Sequence, residues 1–341
     1  MFGLDGLSAL RAFLQGRSPP PPLNRLLGLD FTEVGSGHAT FGLPATPWLL
    51  NSAGAISGGP LAIAADAALG CALQSELGPA TPYTTSELSM TMLRPVRADG
   101  GTISANGQRV HRGRSVGLTE AFLIDESRDR LVAHCTSRLA IFPPLNPTPE
   151  APLDPPALEP PADLASDPYR RPVEGEVLGQ DVWDSLSGLE VIQGQIRGEL
   201  PLPPISHLTG LWPVEAERGA LIMRLPASEW LNSPARRMQG GAIAMLADAC
   251  LVGAVATTAS AGTAIASIDF KVNFLRPVPG DGRDLIAEAR VEHSGRTLAV
   301  ANAELFDADR QRVAIATGSS MYLPGHPAAL GEIELGRGEE E

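Results

Sequence analysis

The sequence contains an internal repeat, because adding 182 to a residue number maps the first part of the chain onto the last part without a gap. The matching segments include Gly6-Leu7 with Gly188-Leu189, Leu43-Pro44-Ala45 with Leu225-Pro226-Ala227, Gly58-Gly59 with Gly240-Gly241, and Leu93-Arg94-Pro95-Val96 with Leu275-Arg276-Pro277-Val278. Chance does not produce so long an ungapped match. The chain therefore consists of two duplicated copies, which we place at residues 1–142 and 183–324, each long enough to bury a core of its own.

A proline-rich segment lies between the two copies, at residues 143–182. Eleven of the thirty residues from 143 to 172 are proline. Proline cannot be accommodated inside a helix or a sheet, so we predict a semi-rigid, extended linker that lets the copies pack side by side. Residues 325–341 are acidic and contain several glycines, which predicts a disordered tail.

Each copy has the hydrophobic pattern of an α+β domain. The predicted elements of the first copy are a short amphipathic helix at 7–14, strands near 26–34 and 38–43, an apolar helix at 61–77, a strand at 87–92, and strands near 102–111, 115–124 and 131–141. The apolar helix of the second copy is predicted at 242–256. A helix that is apolar on all sides belongs at the centre of its domain. We therefore expect, in each copy, an antiparallel sheet wrapped around a central buried helix.

The composition excludes several classes of protein. Thirty-nine acidic residues against 26 Lys and Arg give a net charge of −13, which repels a phosphate backbone, so we expect no nucleic-acid partner. The three cysteines, Cys71, Cys135 and Cys250, form no C-x-x-C pair, and no histidine cluster has metal-ligand spacing. We expect no metal site and three buried thiols. The N-terminus lacks the pattern of a secretory signal, which favours a cytoplasmic location.

One apolar run, residues 240–266, is long enough to span a membrane. It carries no Lys or Arg and a single acid, Asp248. It is rich in Ala, Gly, Ser and Thr, and an acid near its middle is costly in lipid. A buried helix followed by a loop fits this run better than a membrane span.

Asp66 and Asp248 occupy equivalent positions in the middle of the two apolar helices. Burying a carboxylate without partners costs several kcal/mol, so something must compensate. Each acid could bind a backbone amide at the domain interface and fix the packing. Alternatively, each could face a cleft as a general base or nucleophile. The recurrence of the acid while its neighbours vary favours the functional interpretation.

Gly58-Gly59 and Gly240-Gly241 stand at the starts of the same helices, eight residues before each aspartate. Free amides and the positive end of the helix dipole at such a place stabilise an oxygen that acquires negative charge. The glycines could also be simple turn residues. The repeated spacing Gly-Gly-x6-Asp is more specific than a glycine pair alone.

The segments Asn51-x5-Ser57-Gly58-Gly59-x6-Asp66 and Gln239-Gly240-Gly241-x6-Asp248 resemble the signature of PaaI-like hotdog-fold acyl-CoA thioesterases, Asn-x5-His-Gly-Gly-x6-Asp. The resemblance covers nearly all of both copies and implies two tandem hotdog domains in one chain, a double hotdog. It also implies acyl-CoA as the substrate, no cofactor, and a homodimer of such chains paired back to back.

The resemblance implies that the acid of each site comes from the other copy. Site one would join Asn51, Ser57 and Gly58 with Asp248 and Ser267. Site two would join Gln239 and Gly240 with Asp66 and Thr85. In the family, the glycine amide binds the thioester carbonyl, the asparagine orients the acyl group or water, and the acid, with the Ser or Thr, activates the attack. Gly59 and Gly241 would line the same substrate sites.

Neither copy has the histidine of the family signature, since Ser57 and Gln239 stand in its place. Both side chains can hydrogen-bond a carbonyl, but neither titrates as an imidazole does. The second copy also lacks the family asparagine, because Ser233 stands there and Asn232 comes one residue early. We therefore predict that site one is the better formed, while site two binds without turnover.

Four arginines at strand ends, Arg94, Arg114, Arg276 and Arg296, are candidates for binding the phosphates of coenzyme A. They could equally be ordinary surface charges. From the sequence we predict an acyl-CoA thioesterase that hydrolyses the thioester with water. The alternative is a non-catalytic acyl-CoA binding protein or sensor with a degenerate site, which the missing histidines suggest.

Overall fold

The computed structural model describes residues 3–145 and 171–330. Most of the predicted linker, residues 146–170, and the greater part of the predicted tail, residues 331–341, lie outside the described residues.

The two copies contain the same elements in the same order. The first copy comprises α1 (Gly6–Leu14), α2 (Pro22–Leu27), β1 (Asp30–Gly35), β2 (His38–Pro44), α3 (Gly58–Gln74), β3 (Tyr83–Met92), β4 (Thr102–Arg112), β5 (Val116–Asp125) and β6 (Arg130–Ile141). After the additional short helix α4 (Gln180–Ser185), the second copy comprises α5 (Gly188–Arg197), α6 (Pro204–Thr209), β7 (Trp212–Glu217), β8 (Ala220–Pro226), α7 (Gly240–Ala256), β9 (Thr263–Phe274), β10 (Asp284–Ser294), β11 (Leu298–Phe306) and β12 (Arg312–Pro324). The bounds of α3 and α7 differ by the repeat distance at both ends.

Three short helices were absent from the sequence prediction: α2, its counterpart α6, and α4, which begins inside the predicted linker. The strand expected near 26–34 begins only at Asp30, because residues 22–27 form the helix α2. Pro22 occupies the first turn, where its missing N–H costs nothing, and Gly28 ends the helix with a φ of 65°. The prolines that end at Pro22 indicated only the end of the preceding helix, but proline is also favoured in the first turn of a new one.

The twelve strands form one antiparallel sheet in the order β1-β2-β4-β5-β6-β3-β9-β12-β11-β10-β8-β7. The copies join where β3 pairs with β9, and Ser89 lies opposite Lys271. These two residues are equivalent in the repeat. On either side of them, Glu87 pairs with Asn273 and Thr91 with Asp269, so the two halves are related by a local two-fold axis at this pair.

The central helices α3 and α7 pack against each other and against the sheet. The second glycine of each pair makes this contact possible. A Cβ on Gly59 would lie 2.4 Å from Cγ of Met245, and one on Gly241 would lie 2.5 Å from Cα of Ile63. Along α3, Gly59 meets Met245 and the later residue Ile63 meets the earlier residue Gly241. Residue numbers therefore rise along one helix as they fall along the other, so the two helices are antiparallel. Each copy is thus an antiparallel sheet around a buried helix, which confirms the predicted tandem hotdog architecture.

The apolar run at 240–266 folds as α7 and the beginning of β9. Within residues 3–145 and 171–330, no helix has the length and hydropathy of a membrane-crossing segment. The three cysteines are free thiols. Cys135 and Cys250 are buried as expected, whereas Cys71 is partly exposed near the end of α3.

Candidate active site

Asp66 lies against the glycine pair of the other copy. Its side chain is 6% exposed. The backbone N–H of Gly241 donates to Oδ2 at 2.9 Å, and the hydroxyl of Thr85 donates to Oδ1 at 2.9 Å. A Cβ on Gly240 would lie 3.2 Å from Oδ2. The structure therefore brings together four of the residues that the sequence assigned to site two.

Asp248 occupies the equivalent place against the first copy and is 2% exposed. The hydroxyl of Ser267 donates to Oδ1 over a longer distance, 3.4 Å. A Cβ on Gly58 would lie 2.8 Å from Oδ2. Here too the acid comes from one copy and the glycines from the other.

The exchange of partners follows from the antiparallel packing of α3 and α7. Because the two helices cross near their N-terminal halves, the first turn of each reaches the third turn of the other. The first-turn N–H groups of a helix have no intrahelical acceptor, so they are free to bind the opposing carboxylate or a ligand. The N–H of Gly241 donates a hydrogen bond to Asp66. No hydrogen bond within the described parts of the chain occupies the N–H of Gly58 or of Gly240.

Burial raises the pKa of both carboxyl groups. The pKa of Asp248 rises to about 7, although the Ser267 hydroxyl and the Gly59 amide act to lower it. The pKa of Asp66 is also raised by burial, against the Gly241 amide and the Thr85 hydroxyl. A carboxyl group with a pKa near neutrality can exchange a proton at physiological pH, as acid–base catalysis requires.

The two carboxylates differ in how firmly they are held. Each oxygen of Asp66 accepts a 2.9 Å hydrogen bond. The hydroxyl contact to Asp248 is 0.5 Å longer than the one to Asp66, as the distances of 3.4 and 2.9 Å show. Asp248 therefore keeps more of its acceptor capacity for a ligand or for water.

Ser57 and Gln239 occupy the N-cap positions of α3 and α7. In the described residues, neither side chain caps its own helix. The buried Oε1 of Gln239 finds no hydrogen-bond partner in the part of the chain that the structure describes. Asn51 is used differently, because its Oδ1 accepts the N–H groups of Ala53 and Ala55 at 3.0 and 3.1 Å. That oxygen fixes the loop before α3, which leaves only the side-chain NH2 group to contact a ligand.

The four arginines fall into two kinds. Arg94 and Arg276 each donate to a backbone carbonyl, that of Leu131 at 2.7 Å and that of Arg312 at 2.6 Å, so they tie down strand ends. Arg114 and Arg296 are exposed in the turns that follow β4 and β10.

Strand register shows how far the two turns lie from the sites. Leu298, just after the turn of Arg296, pairs with Met321, and Met321 pairs with Ala266. Ala266 precedes Ser267 of site one. In the first copy, Val116 pairs with Ala140, which pairs with Thr84 beside Thr85 of site two. The turns of Arg296 and Arg114 therefore lie at the same ends of their strands as Ser267 and Thr85, but two strands away across the sheet, about 10 Å.

The sequence did not single out Met92 and Phe270, although both contact site one. A Cβ on Gly58 would meet Cε of Met92 and Cε1 of Phe270 as well as Asp248. The period-two alternation of β3 and β9 places Met90 and Phe270 toward the helices. Nothing in that local pattern indicates that the last residue of β3 reaches the glycine pair.

A cavity of about 640 Å³ lies elsewhere, at the end of α5. Its lining includes Gln195, Arg197, His207, Trp212 and Pro213. In the first copy the residue equivalent to Gln195 is Phe13, which stacks on Phe31 with ring centres 5.4 Å apart. Gln195 and Pro213 stand at the positions of that aromatic pair, and the cavity lining contains neither aspartate.

In the described residues, no group of three or more His, Cys, Asp and Glu side chains is placed to hold a metal ion.

Comparisons with known proteins agree with the fold. The family model described as "Thioesterase superfamily" matches residues 53–132 and again residues 237–314. The fold is similar to that of a tesB protein of Mycobacterium avium subsp. paratuberculosis, at 15% identity and a TM-score of 0.57, covering 89% of this chain and 100% of that one.

Two further solved structures are similar over most of their length. An acyl-CoA thioesterase II, TesB2, of Mycobacterium marinum shares 15% identity with a TM-score of 0.52, covering 89% of this chain and 97% of that one. A hot dog fold protein of unknown function from Alicyclobacillus acidocaldarius shares 16% identity with a TM-score of 0.55, covering 90% and 99%. No curated protein matched the chain. At these identities the structural likeness shows the fold.

Each family-model match begins before a central helix and includes its glycine pair and its aspartate. The same model fits both copies, and the two copies form one continuous sheet around two antiparallel helices. The chain therefore has a tandem hotdog fold, and each of its two copies matches the thioesterase superfamily model.

Proposed function

We propose that this protein hydrolyses acyl-CoA thioesters to a free acid and coenzyme A, and that the site of Asp248 and Gly58 carries the reaction. The observation that supports it most is the reciprocal placement of each buried aspartate against the helix start of the other copy, seen in the 2.9 Å bond from Gly241 to Asp66. The match of both copies to the thioesterase superfamily agrees with it.

In the proposed reaction the Gly58 N–H binds the thioester carbonyl oxygen. The Asp248 carboxylate removes a proton from water while the water oxygen forms a bond to the carbonyl carbon. The negative charge that develops on the carbonyl oxygen is stabilised by the helix start. When the C–S bond breaks, the sulfur takes the proton from Asp248 and leaves as the thiol. Alternatively, the Asp248 carboxylate attacks the carbonyl carbon, the C–S bond breaks, and water hydrolyses the resulting acyl–Asp248 anhydride while the thiolate takes up the proton; either role requires the carboxylate form of Asp248.

Asp248 suits this work better than Asp66. Its pKa of about 7 allows it to accept and return a proton near neutral pH. Its oxygens are less firmly held than those of Asp66, both of which accept short hydrogen bonds. We therefore propose that site one hydrolyses and that site two binds its ligand without turnover, with the unpartnered Oε1 of Gln239 available for a hydrogen bond from the ligand.

Release of free thiol from short, long and aromatic acyl-CoA substrates tests this proposal. The variants are Asp248→Asn and the matched Asp66→Asn, each checked for folding by circular dichroism. We expect Asp248→Asn to lower kcat about 100-fold or more, as the loss of a general base does. Asp66→Asn should keep most of the activity. Equal losses would instead make both sites catalytic, and full activity in Asp248→Asn would exclude the assigned role.

The absence of an imidazole at Ser57 and Gln239 favours one other function, acyl-CoA binding without chemistry. A coenzyme A thioether, which cannot be hydrolysed, separates the two. If the thioether raises the melting temperature of the wild-type protein while no acyl-CoA releases thiol, the protein is a binding protein. Thiol release above the rate in Asp248→Asn excludes that function.

The proposed reaction uses water as its second substrate and requires no cofactor. We also propose a cytoplasmic location, where thiols such as those of Cys71, Cys135 and Cys250 stay reduced. A homodimer of two such chains stays a prediction, and the molar mass in solution from light scattering tests it.

A further inference from the structure

Three side-chain groups converge on the open side of Gly58. A Cβ placed there would lie 2.2 Å from Cε of Met92, 2.8 Å from Oδ2 of Asp248 and 3.1 Å from Cε1 of Phe270. The Met92 methyl and the Asp248 carboxylate oxygen therefore lie no farther apart than the sum of the first two distances, about 5 Å. An apolar methyl group occupies the space beside the acid and the free helix start.

The other site is not covered in this way. Around the equivalent point of Gly240, the three nearest atoms all belong to Asp66, at 3.2, 3.4 and 3.5 Å. The counterpart of Met92 in the repeat is Phe274, the last residue of β9. It is not as close to Gly240 as Met92 is to Gly58. The two sites therefore have equivalent backbone elements but differ in whether a side chain covers the first glycine of the pair.

We infer that Met92 is the specificity-determining residue of site one: its side chain is a movable plug that an acyl group must displace to reach Asp248 and the Gly58 amide. This inference rests on the proposed function and names the substrate class of the same site.

The position of Met92 suits a side chain that moves. It ends β3, it is partly exposed, and the next residue, Leu93, is 47% exposed, so solvent lies beside it. Methionine is unbranched and has several rotatable bonds, so it changes rotamer at little cost. Phe270, by contrast, is 2% exposed and lies in the middle of β9, where close packing fixes it.

The plug limits the shape of the acyl group close to the thioester. When the Met92 side chain moves away, the space that it leaves beside Gly58 is still bounded by the edge of the Phe270 ring and by the packed start of α3. A straight acyl chain needs less width beside these groups than one with a branch on the carbon next to the carbonyl. We therefore assign straight-chain acyl-CoA thioesters to site one and expect discrimination against α-branched ones.

Butyryl-CoA and isobutyryl-CoA test this, since they have the same number of carbon atoms and differ in that branch. The wild-type protein should hydrolyse butyryl-CoA with the higher kcat/KM. Met92→Ala should reduce this preference about tenfold, the size of effect that one methyl group has in an apolar pocket. Met92→Leu keeps most of the side-chain volume and should give an intermediate preference. Phe274→Ala is the matched control and should retain the wild-type preference.

Two results would overturn the inference: an unchanged preference in both Met92 variants, or an equal change in Phe274→Ala. The change should appear mainly in KM for the branched substrate, whereas a loss of structure lowers kcat for both substrates alike. Circular dichroism establishes that each variant is folded.

Binding of inert thioethers separates this inference from the proposed function. S-butyl-CoA and S-isobutyl-CoA are titrated calorimetrically into the wild-type protein and Met92→Ala. If the wild-type protein releases no thiol from any substrate, hydrolysis is excluded. In that case the plug is still supported if Met92→Ala binds S-isobutyl-CoA more tightly, relative to S-butyl-CoA, than the wild-type protein does. If the wild type hydrolyses butyryl-CoA and the relative affinities do not change, only the plug is excluded.

Discussion

The backbone N–H of Gly241 donates a hydrogen bond to Oδ2 of Asp66 at 2.9 Å, across 175 residues of sequence. The donor belongs to the second copy and the acceptor to the first. Neither copy can therefore complete this arrangement alone. If the copies separated, a carboxylate in an apolar helix would lose its backbone donor, so the acids hold the copies together as well as shaping the sites.

The rate of hydrolysis should depend on the protonation of Asp248. Because the carboxylate form is needed and its pKa is about 7, kcat/KM should rise about tenfold per pH unit below neutrality and level off above it. Thiol release measured from pH 5 to 9 checks this. Residual activity in Asp248→Asn should lack the transition. A transition near pH 4 in the wild type would show that water reaches the carboxylate freely.

The same acid should make the folded protein less stable as the pH rises. Its pKa in the folded state lies above the unfolded value of 3.8, so its contribution to stability is complete below about pH 4 and is lost as the pH rises through 7. Asp248→Asn removes that loss. The melting temperature of Asp248→Asn minus that of the wild-type protein should therefore be larger at pH 8 than at pH 5. The opposite trend would mean that the carboxylate is stabilised in the folded protein.

Gly241→Ala should strongly destabilise the protein. The new Cβ would lie 2.5 Å from Cα of Ile63 and 2.8 Å from the carbonyl oxygen of Ala62, and backbone atoms cannot move aside easily. We expect a cost of about 3 kcal/mol, which exceeds the gain of about 1 kcal/mol from placing alanine in a helix.

Gly253→Ala is the control in the same helix. Its Cβ would come within 2.3 Å of the end of the Leu221 side chain and meets no backbone atom, so the strain is easier to relieve and the loss of stability should be smaller. Urea denaturation compares the two variants. A free energy of unfolding of Gly241→Ala equal to that of the wild-type protein would contradict the prediction.

The two hydroxyl groups that contact the acids should differ in their contribution to stability. Thr85→Val removes a 2.9 Å hydrogen bond and leaves one oxygen of Asp66 without its donor, which costs about 1–3 kcal/mol. Ser267→Ala removes a contact of 3.4 Å and should cost less than about 1 kcal/mol. The free energies of unfolding at pH 8, where both acids are more fully ionised, check the order. A larger loss in Ser267→Ala would contradict the assigned difference between the sites.

Much of the fold was predictable because its signals are local. The apolar runs of α3 and α7 and the alternation along β9 indicate their own secondary structure, and the repeat shows that one domain occurs twice. The helix α2 was missed because the prolines before it were interpreted only as a break. Pro22 and Gly28 are the start and stop signals that could have identified it.

The candidate site was only partly predictable. Asp66 and Asp248 stand out as acids in apolar helices, and the glycine pairs stand out by their spacing. The resemblance to a known family, not the spacing itself, implied that each acid meets the glycines of the other copy. The Asn51 oxygen fixes its own loop through an N–H two residues on, a turn that asparagine favours, but the assignment of Asn51 to the ligand passed over that signal.

The sequence alone determined the duplication, the type of each main element, and which acids lie in apolar surroundings, because those properties follow from residues close together in the chain. The tertiary structure alone decided that the Gly241 amide binds Asp66, that Asp248 is held less firmly, and that Met92 covers Gly58. These are distances between residues on different elements. They are set by how two helices and a sheet pack together, to within a few tenths of an ångström, and no local pattern encodes that.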